Sequence, residues 1–265
     1  MRANEMNLTE YIVQQKSSLE SRDRDAMIMT HVVCGYPSFE DNWKELEIMA
    51  EFGVDLVELQ FPFSEPSADG PLFVKANQAA ISNGVHVSDC FDFMRKVSAK
   101  FPFKVIMMGY YNTVFKTGHR AFLESLKDVG GIAFILPDLP VEEANELHSI
   151  ARELDLAPIM LMTPTNSNER LQQLAAAANG FIYTVARKGV TGSSTSMNQD
   201  VAEFIERCHQ FTELPLAVGF GVSQPQDISF IGKHADIAVI GTAVLKAWEN
   251  GREAGLRRFF QQLLK

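Results

Sequence analysis

Cysteine is scarce in this 265-residue chain: Cys34, Cys90 and Cys208 are the three present. An odd number at spacings that fit no metal motif excludes a disulfide scaffold and points to reduced thiols in a cytoplasmic protein. No apolar run is long enough to span a bilayer, and the first residues, Met1 to Asn7, lack the apolar core of a signal peptide. Basic clusters and low-complexity tracts are missing too. With a net charge of −9, the chain is not expected to bind nucleic acid or a membrane surface, both of which are anionic. An anionic ligand would need a local site.

The chemistry is narrowed in the same way. A Schiff-base enzyme needs a lysine projecting from a strand end, but Lys104 opens its apolar run and Lys188 lies in a loop. A metal-dependent enzyme needs clustered histidines or carboxylates. Of six histidines, His31 alone falls in a strand-like run, where it reads as a core or pocket-wall residue. No metal site and no resident cofactor are expected. Acid/base catalysis by carboxylates remains.

What is present is periodic. Short apolar runs occur at Ala26–Cys34, Val54–Leu59, Phe103–Met108, Ile132–Leu136, Pro158–Met162, Gly180–Val185, Leu216–Val218 and Ile237–Ile240. Amphipathic stretches alternate with them, among them Phe39–Glu51, Ala121–Val129, Val141–Leu154, Ser167–Ala177, Gln199–His209 and Ala243 to about Leu264. This is the pattern of parallel βαβ units. Eight units in this length predict an α/β fold, a closed (β/α)8 TIM barrel, with a doubly wound sheet as the rival. No linker divides the chain, so residues 1–265 are expected to form one domain. An extra amphipathic segment, Leu8 to Leu19, is expected as an N-terminal helix covering the barrel bottom.

In such barrels the active site is built from the loops that follow the strands. The second run carries Glu58, and a buried carboxylate is costly without a partner or a role. The loop beyond it, Phe61 to Pro71, holds a second carboxylate, Asp69, beside Gly70 and Pro71. Two carboxylates in different surroundings suit divided acid/base and electrostatic roles. Leu56, Leu59 and Phe61 are expected to be apolar neighbours that disfavour the charged form of Glu58. Glycine-bearing ends follow the sixth, seventh and eighth runs. They predict a cradle for a phosphorylated small molecule, with Gly192, Gly221, Gly241 and Thr242 as donors. Tyr110 and Tyr183 sit where each could line a pocket. Asp138, between Pro137 and Pro140, reads as a loop or interface residue.

The segment Glu58-Leu59-x-x-Pro62-Phe63-Ser64-Glu65-Pro66-x-Ala68-Asp69-Gly70-Pro71 resembles the signature of the tryptophan synthase α subunits. The likeness continues through Tyr110-x-Asn112, Asp138-x-Pro140, Tyr183-x-x-x-Arg187-x-Gly189-Val190-Thr191-Gly192 and Gly219-Phe220-Gly221, in order along nearly the whole chain. The resemblance implies retro-aldol cleavage of indole-3-glycerol phosphate to indole and glyceraldehyde 3-phosphate. It also implies a β subunit partner in an α2β2 complex, where pyridoxal phosphate, a cofactor of the partner, joins indole to serine. It puts Glu58 at the catalytic acid/base position and Asp69 opposite the indole N–H. Tyr183 and Tyr110 fall in the substrate pocket, Thr191 and Gly192 on the loop after the sixth strand, and Gly192, Phe220, Gly221, Gly241 and Thr242 at the phosphate. Five residues depart from the commoner pattern. Gln60 replaces a usual glycine, His31 an aromatic or apolar residue, Glu65 an aspartate and Thr242 a serine, and Lys188 adds a charge. All the catalytic groups survive, which weighs against the alternative of a cleavage-deficient subunit that only activates β.

Overall fold

The computed structural model describes residues 6–185, 199–219 and 221–264. Its strands are β1 (Met27–Val33), β2 (Leu56–Gln60), β3 (Lys104–Met108), β4 (Ala133–Ile135), β5 (Ala157–Met162), β6 (Ile182–Thr184), β7 (Leu216–Val218) and β8 (Ile237–Ile240). Each is parallel to the next, and β8 returns to β1 with Thr30 opposite Ile240, closing the barrel. The rival open sheet is thereby excluded: a doubly wound sheet would leave two edges.

Alternation along the strands sorts the side chains into two packed layers. Met27, Met29, Leu56, Ile106, Ile135 and Ile159 point into the barrel. Ile28, Val32, Val57, Leu59, Val105 and Met107 point outward, into the layer under the helices. Fully burying one such side chain is worth about 1.5–3 kcal/mol, and both faces of the strands gain it, so barrel closure and register set which face looks inward.

The helices are α1 (Leu8–Ser17), α2 (Phe39–Glu51), α3 (Pro71–Ser82), α4 (Val87–Lys100), α5 (Tyr111–Thr117), α6 (His119–Asp128), α7 (Asn145–Glu153), α8 (Asn168–Ala177), α9 (Gln199–His209), α10 (Pro225–His234) and α11 (Thr242–Leu263). The stretch expected as one helix over Val141–Leu154 is divided. A 3-10 turn, Val141–Glu143, follows Pro140, and the α-helix starts at Asn145. The last helix bends at Arg252, where the backbone turns to φ 48°.

The N-terminal helix closes the barrel floor, as the sequence led us to expect. Asn7 and Glu10 cap α1 reciprocally. Its face of Leu8, Tyr11 and Ile12 joins the interior cluster with Met27, Phe181 and Ile237. Two bonds anchor it to residues just before strands: Tyr11 donates to the Asp55 carbonyl at 3.1 Å and Thr9 to the Gly180 carbonyl at 3.1 Å. The opposite, C-terminal mouth is left to the loops.

Candidate active site

The β1–β2 register puts His31 directly opposite Glu58. Both belong to the inward set, with Gln60 two residues beyond Glu58 on the same face. Leu59 and Phe61 belong to the outer layer. The expected apolar surroundings of Glu58 are therefore corrected: Leu56 shares its side of the strand, and the other two face away. In their place, Nδ1 of His31 lies 3.2 Å from Glu58 Oε2.

From there an unbroken polar chain crosses the mouth. His31 Nε2 meets Gln60 Oε1 at 2.9 Å. Gln60 Nε2 donates to Asp69 Oδ2 at 2.6 Å, and the Tyr110 hydroxyl donates to the same oxygen at 3.0 Å. Tyr110 in turn accepts the backbone N–H of Ala68 at 3.1 Å. Glu58 is 2% exposed, Asp69 8% and Gln60 0%, so this chain is shielded from water. The two carboxylates singled out in the sequence are thus brought to one place, 11 positions apart in the chain but joined by two intervening side chains.

The loop that carries Asp69 is held at several points. Asp69 N–H bonds the Pro66 carbonyl at 3.0 Å. Asn77 of α3 accepts the Phe63 N–H at 3.0 Å and donates to the Phe73 carbonyl at 2.8 Å. Phe63 stacks on Tyr110 with ring centroids 5.0 Å apart. Asn77 gave no warning in the sequence, because a polar residue in a helix ordinarily reads as its solvent face.

Burial and charge oppose each other here. Burial alone would push the His31 imidazole down, but the Glu58 carboxylate, the bonds to Glu58 and Gln60, and Asp69 outweigh it and leave the ring above its ordinary value. Burial raises the Asp69 carboxyl, and His31, Gln60 and Tyr110 offset only part of that rise. Tyr183, in β6, is pushed well above the ordinary phenol value by burial and then by Glu58 and Asp69, so it stays neutral. Tyr183 also explains a glycine: a Cβ on Gly219 would lie 2.7 Å from its ring.

Beside this chain lies the head of α11. Phe73 packs against His31 with ring centroids 4.4 Å apart and planes tilted by 33°, and a Cβ on Gly241 would reach both Phe73 and His31 Cβ, at 3.3 and 3.6 Å. Gly241 opens α11, with Thr242 its first residue. A cavity of about 380 Å³ runs from Thr242 to Gly70 and Phe73, with Lys75 and Lys246 on its wall. The two lysines were missed in the sequence, although Lys246 stands one helical turn after Thr242 and so shares its face. Gly221 takes a left-handed turn, φ 68°, beyond β7. Thr191, Gly192 and Phe220 lie outside the described residues. Asp138 is removed from the carboxylate pair. Both its oxygens accept the Tyr111 N–H, at 2.9 and 3.1 Å, tying the loop after β4 to α5.

A family model described as Tryptophan synthase alpha chain matches residues 17–263. The chain belongs to the tryptophan synthase alpha chain family. The alpha chain of Desulforapulum autotrophicum is 47% identical over 242 residues, 91% of this chain and 96% of that one. The alpha chain of Desulfotalea psychrophila is 42% identical over 236 residues, covering 89% and 93%. Among solved structures, Mycobacterium tuberculosis tryptophan synthase superposes with a TM-score of 0.87 at 29% identity, covering 96% of each chain. A chain of the α2β2 tryptophan synthase complex of Pyrococcus furiosus gives 0.82 at 28% identity, covering 91% and 98%. Membership of the alpha chain family makes this protein part of the enzymology of tryptophan synthesis, and it sets the barrel mouth, where that family's signature residues gather, as the place to look for the reaction.

Proposed function

We propose that this chain cleaves indole-3-glycerol phosphate to indole and glyceraldehyde 3-phosphate, with Glu58 as general acid and Asp69 as the carboxylate that faces the indole N–H. The observation that carries the reading is the convergence of these two acids at one end of the barrel, next to Tyr110, Tyr183 and a cavity with lysines on its wall.

Breaking the bond at indole C3 requires a proton there. Glu58 donates it, and the ring becomes an indoleninium whose nitrogen is the electron sink. The substrate supplies its own sink, so no lysine imine is needed. Asp69 stabilises the cation as it develops; a preorganised charge of this type is worth roughly 10²–10³ in rate. The hydroxyl next to the breaking bond loses its proton to the Glu58 carboxylate, the carbon–carbon bond opens to an aldehyde, and the electron pair returns to the ring. Tyr110 and Tyr183 line the indole pocket. Gly221, Gly241 and Thr242, together with Thr191, Gly192 and Phe220, are assigned to the phosphate end, and the N-terminus of α11 adds its dipole.

A β subunit is the proposed partner, which the P. furiosus α2β2 neighbour supports. In that partnership indole passes to β, and pyridoxal phosphate belongs to β. Three buried free thiols fit a cytoplasmic setting. The test is indole release from synthetic substrate by the purified chain, alone and with a β subunit. Glu58→Gln should abolish cleavage and leave binding of a glycerol-phosphate analogue largely intact; wild-type-like turnover in that variant would refute the assignment.

A further inference from the structure

The polar chain between the two acids fixes where its protons are. Asp69 Oδ2 already accepts the Tyr110 hydroxyl, and Gln60 presents its NH2 group to the same oxygen. The amide oxygen of Gln60 is thereby turned to His31 Nε2. An amide oxygen only accepts, so Nε2 must carry a hydrogen. In the neutral ring, Nδ1 is then a bare acceptor, and it is this nitrogen that faces Glu58 Oε2 at 3.2 Å. Two bare acceptors at that separation repel. One proton between them removes the conflict, either on the carboxyl or on the ring.

We propose that His31 and Glu58 hold a single proton between them, that this is the proton delivered to indole C3, and that Gln60 fixes the donor tautomer of His31 from the position of Asp69. The inference deepens the functional reading above and rests on it. His31 is a positioning residue that acts through Glu58. The pair gives its proton to C3, which leaves the Glu58 carboxylate and a neutral His31 bearing hydrogen on Nε2. The proton from the glycerol hydroxyl then restores the pair, so each turnover returns the site to its starting state with no external acid.

Among the described residues, Asp69 from the loop after β2 and Tyr183 on β6 face the pair, and Tyr110 after β3 bonds Asp69; all three are acids. Phe73 of α3 brings only an apolar ring. The anionic charge of Glu58 and Asp69 favours retention of the proton, and a pair has two places to keep it where a lone carboxyl has one. The wild-type enzyme therefore stays active to higher pH than a variant in which Glu58 stands alone.

The experiment is the pH dependence of kcat/KM for indole release by the full chain with a β subunit, in wild type, His31→Phe and His31→Asn. Asn keeps a donor near the Nδ1 position but does not titrate. Both variants should lose activity increasingly as pH rises, with the alkaline limb lower by a unit or more and a deficit of about tenfold for each unit at high pH. A loss of the same size at every pH, or none, would overturn the proposal. A readout independent of turnover is the nitrogen-15 spectrum of histidine-labelled protein, with His31 assigned by its absence in His31→Asn. Hydrogen on Nε2 from pH 6 to 9 supports the pair, and an Nδ1–H neutral ring overturns it. A wild-type chain that releases no indole even with β would sink the functional reading, and the spectrum would still decide the pair.

Discussion

The Tyr110 hydroxyl and the Asp69 carboxylate are 3.0 Å apart, and the same hydroxyl accepts the N–H of Ala68, the residue before Asp69. One phenol at the end of β3 thus grips the β2 loop by its backbone and by its functional side chain. Tyr110→Phe keeps the ring stacked on Phe63 but leaves the Ala68 N–H unpaired and Asp69 Oδ2 with Gln60 as its side-chain donor. A lost buried bond of this kind costs about 1–3 kcal/mol. We expect kcat/KM for indole release to fall by about tenfold or more, measured by steady-state kinetics, with little change in far-UV circular dichroism.

Gly219 and Tyr183 make a steric prediction. A methyl group on Gly219 would press on a ring whose hydroxyl lies at the same 2.7 Å distance as its Cε1. The ring is rigid and partly buried, so it must rotate. Gly219→Ala should raise KM and lower kcat together, and overpacking of this type costs about 1–3 kcal/mol. Replacing Tyr183 by Leu in the same chain should restore stability but not activity, as read from thermal melts and indole assays of the double variant.

Lys246 and Lys75 supply positive charge to the cavity at the head of α11. Lys246→Ala should raise KM for the phosphorylated substrate by about tenfold, with kcat nearly unchanged, because a charge that binds the tail equally in ground and transition states acts on affinity. The effect should shrink as ionic strength increases. A kcat effect larger than the KM effect would remove Lys246 from the binding end.

Glu45 is a buried carboxyl on α2, 3% exposed, with one oxygen lacking a partner. Burial raises it to about 8, offset in part by Asn42. Because the folded state holds this proton more tightly than the unfolded chain, the group's stabilising effect is present below about 4.5. It is lost as pH rises from there through about 8. The slope is on the order of 1 kcal/mol per pH unit. Glu45→Gln should melt close to wild type at pH 5 and above it at pH 9; equal melting temperatures at both would contradict the burial argument.

Much of the fold was legible because the barrel repeats one unit. All eight strand runs were placed within two residues, and Phe39–Glu51 and Gln199–His209 form helices at those bounds. The exceptions have local causes. Pro140 starts a 3-10 turn where a continuous helix was expected, and the backbone reversal at Arg252 interrupts an otherwise helical pattern. At the site, Glu58 and Asp69 stood out as carboxylates in unusual settings, and His31 reads as a pocket wall from its run alone. Its bond to Glu58 could not be read, because two residues 27 positions apart meet only through strand register.

The sequence by itself determined the strand and helix order and the candidate acids, since these follow from periodicity and from the cost of burying charge. Tertiary structure alone decided that Glu58 faces an imidazole while Leu59 and Phe61 face away, that Gln60 spans from His31 to Asp69, and that two lysines border the cavity beside them. The reason is geometric: closure of the barrel and the register of neighbouring strands set these distances, and neither is written in the pattern of any one segment.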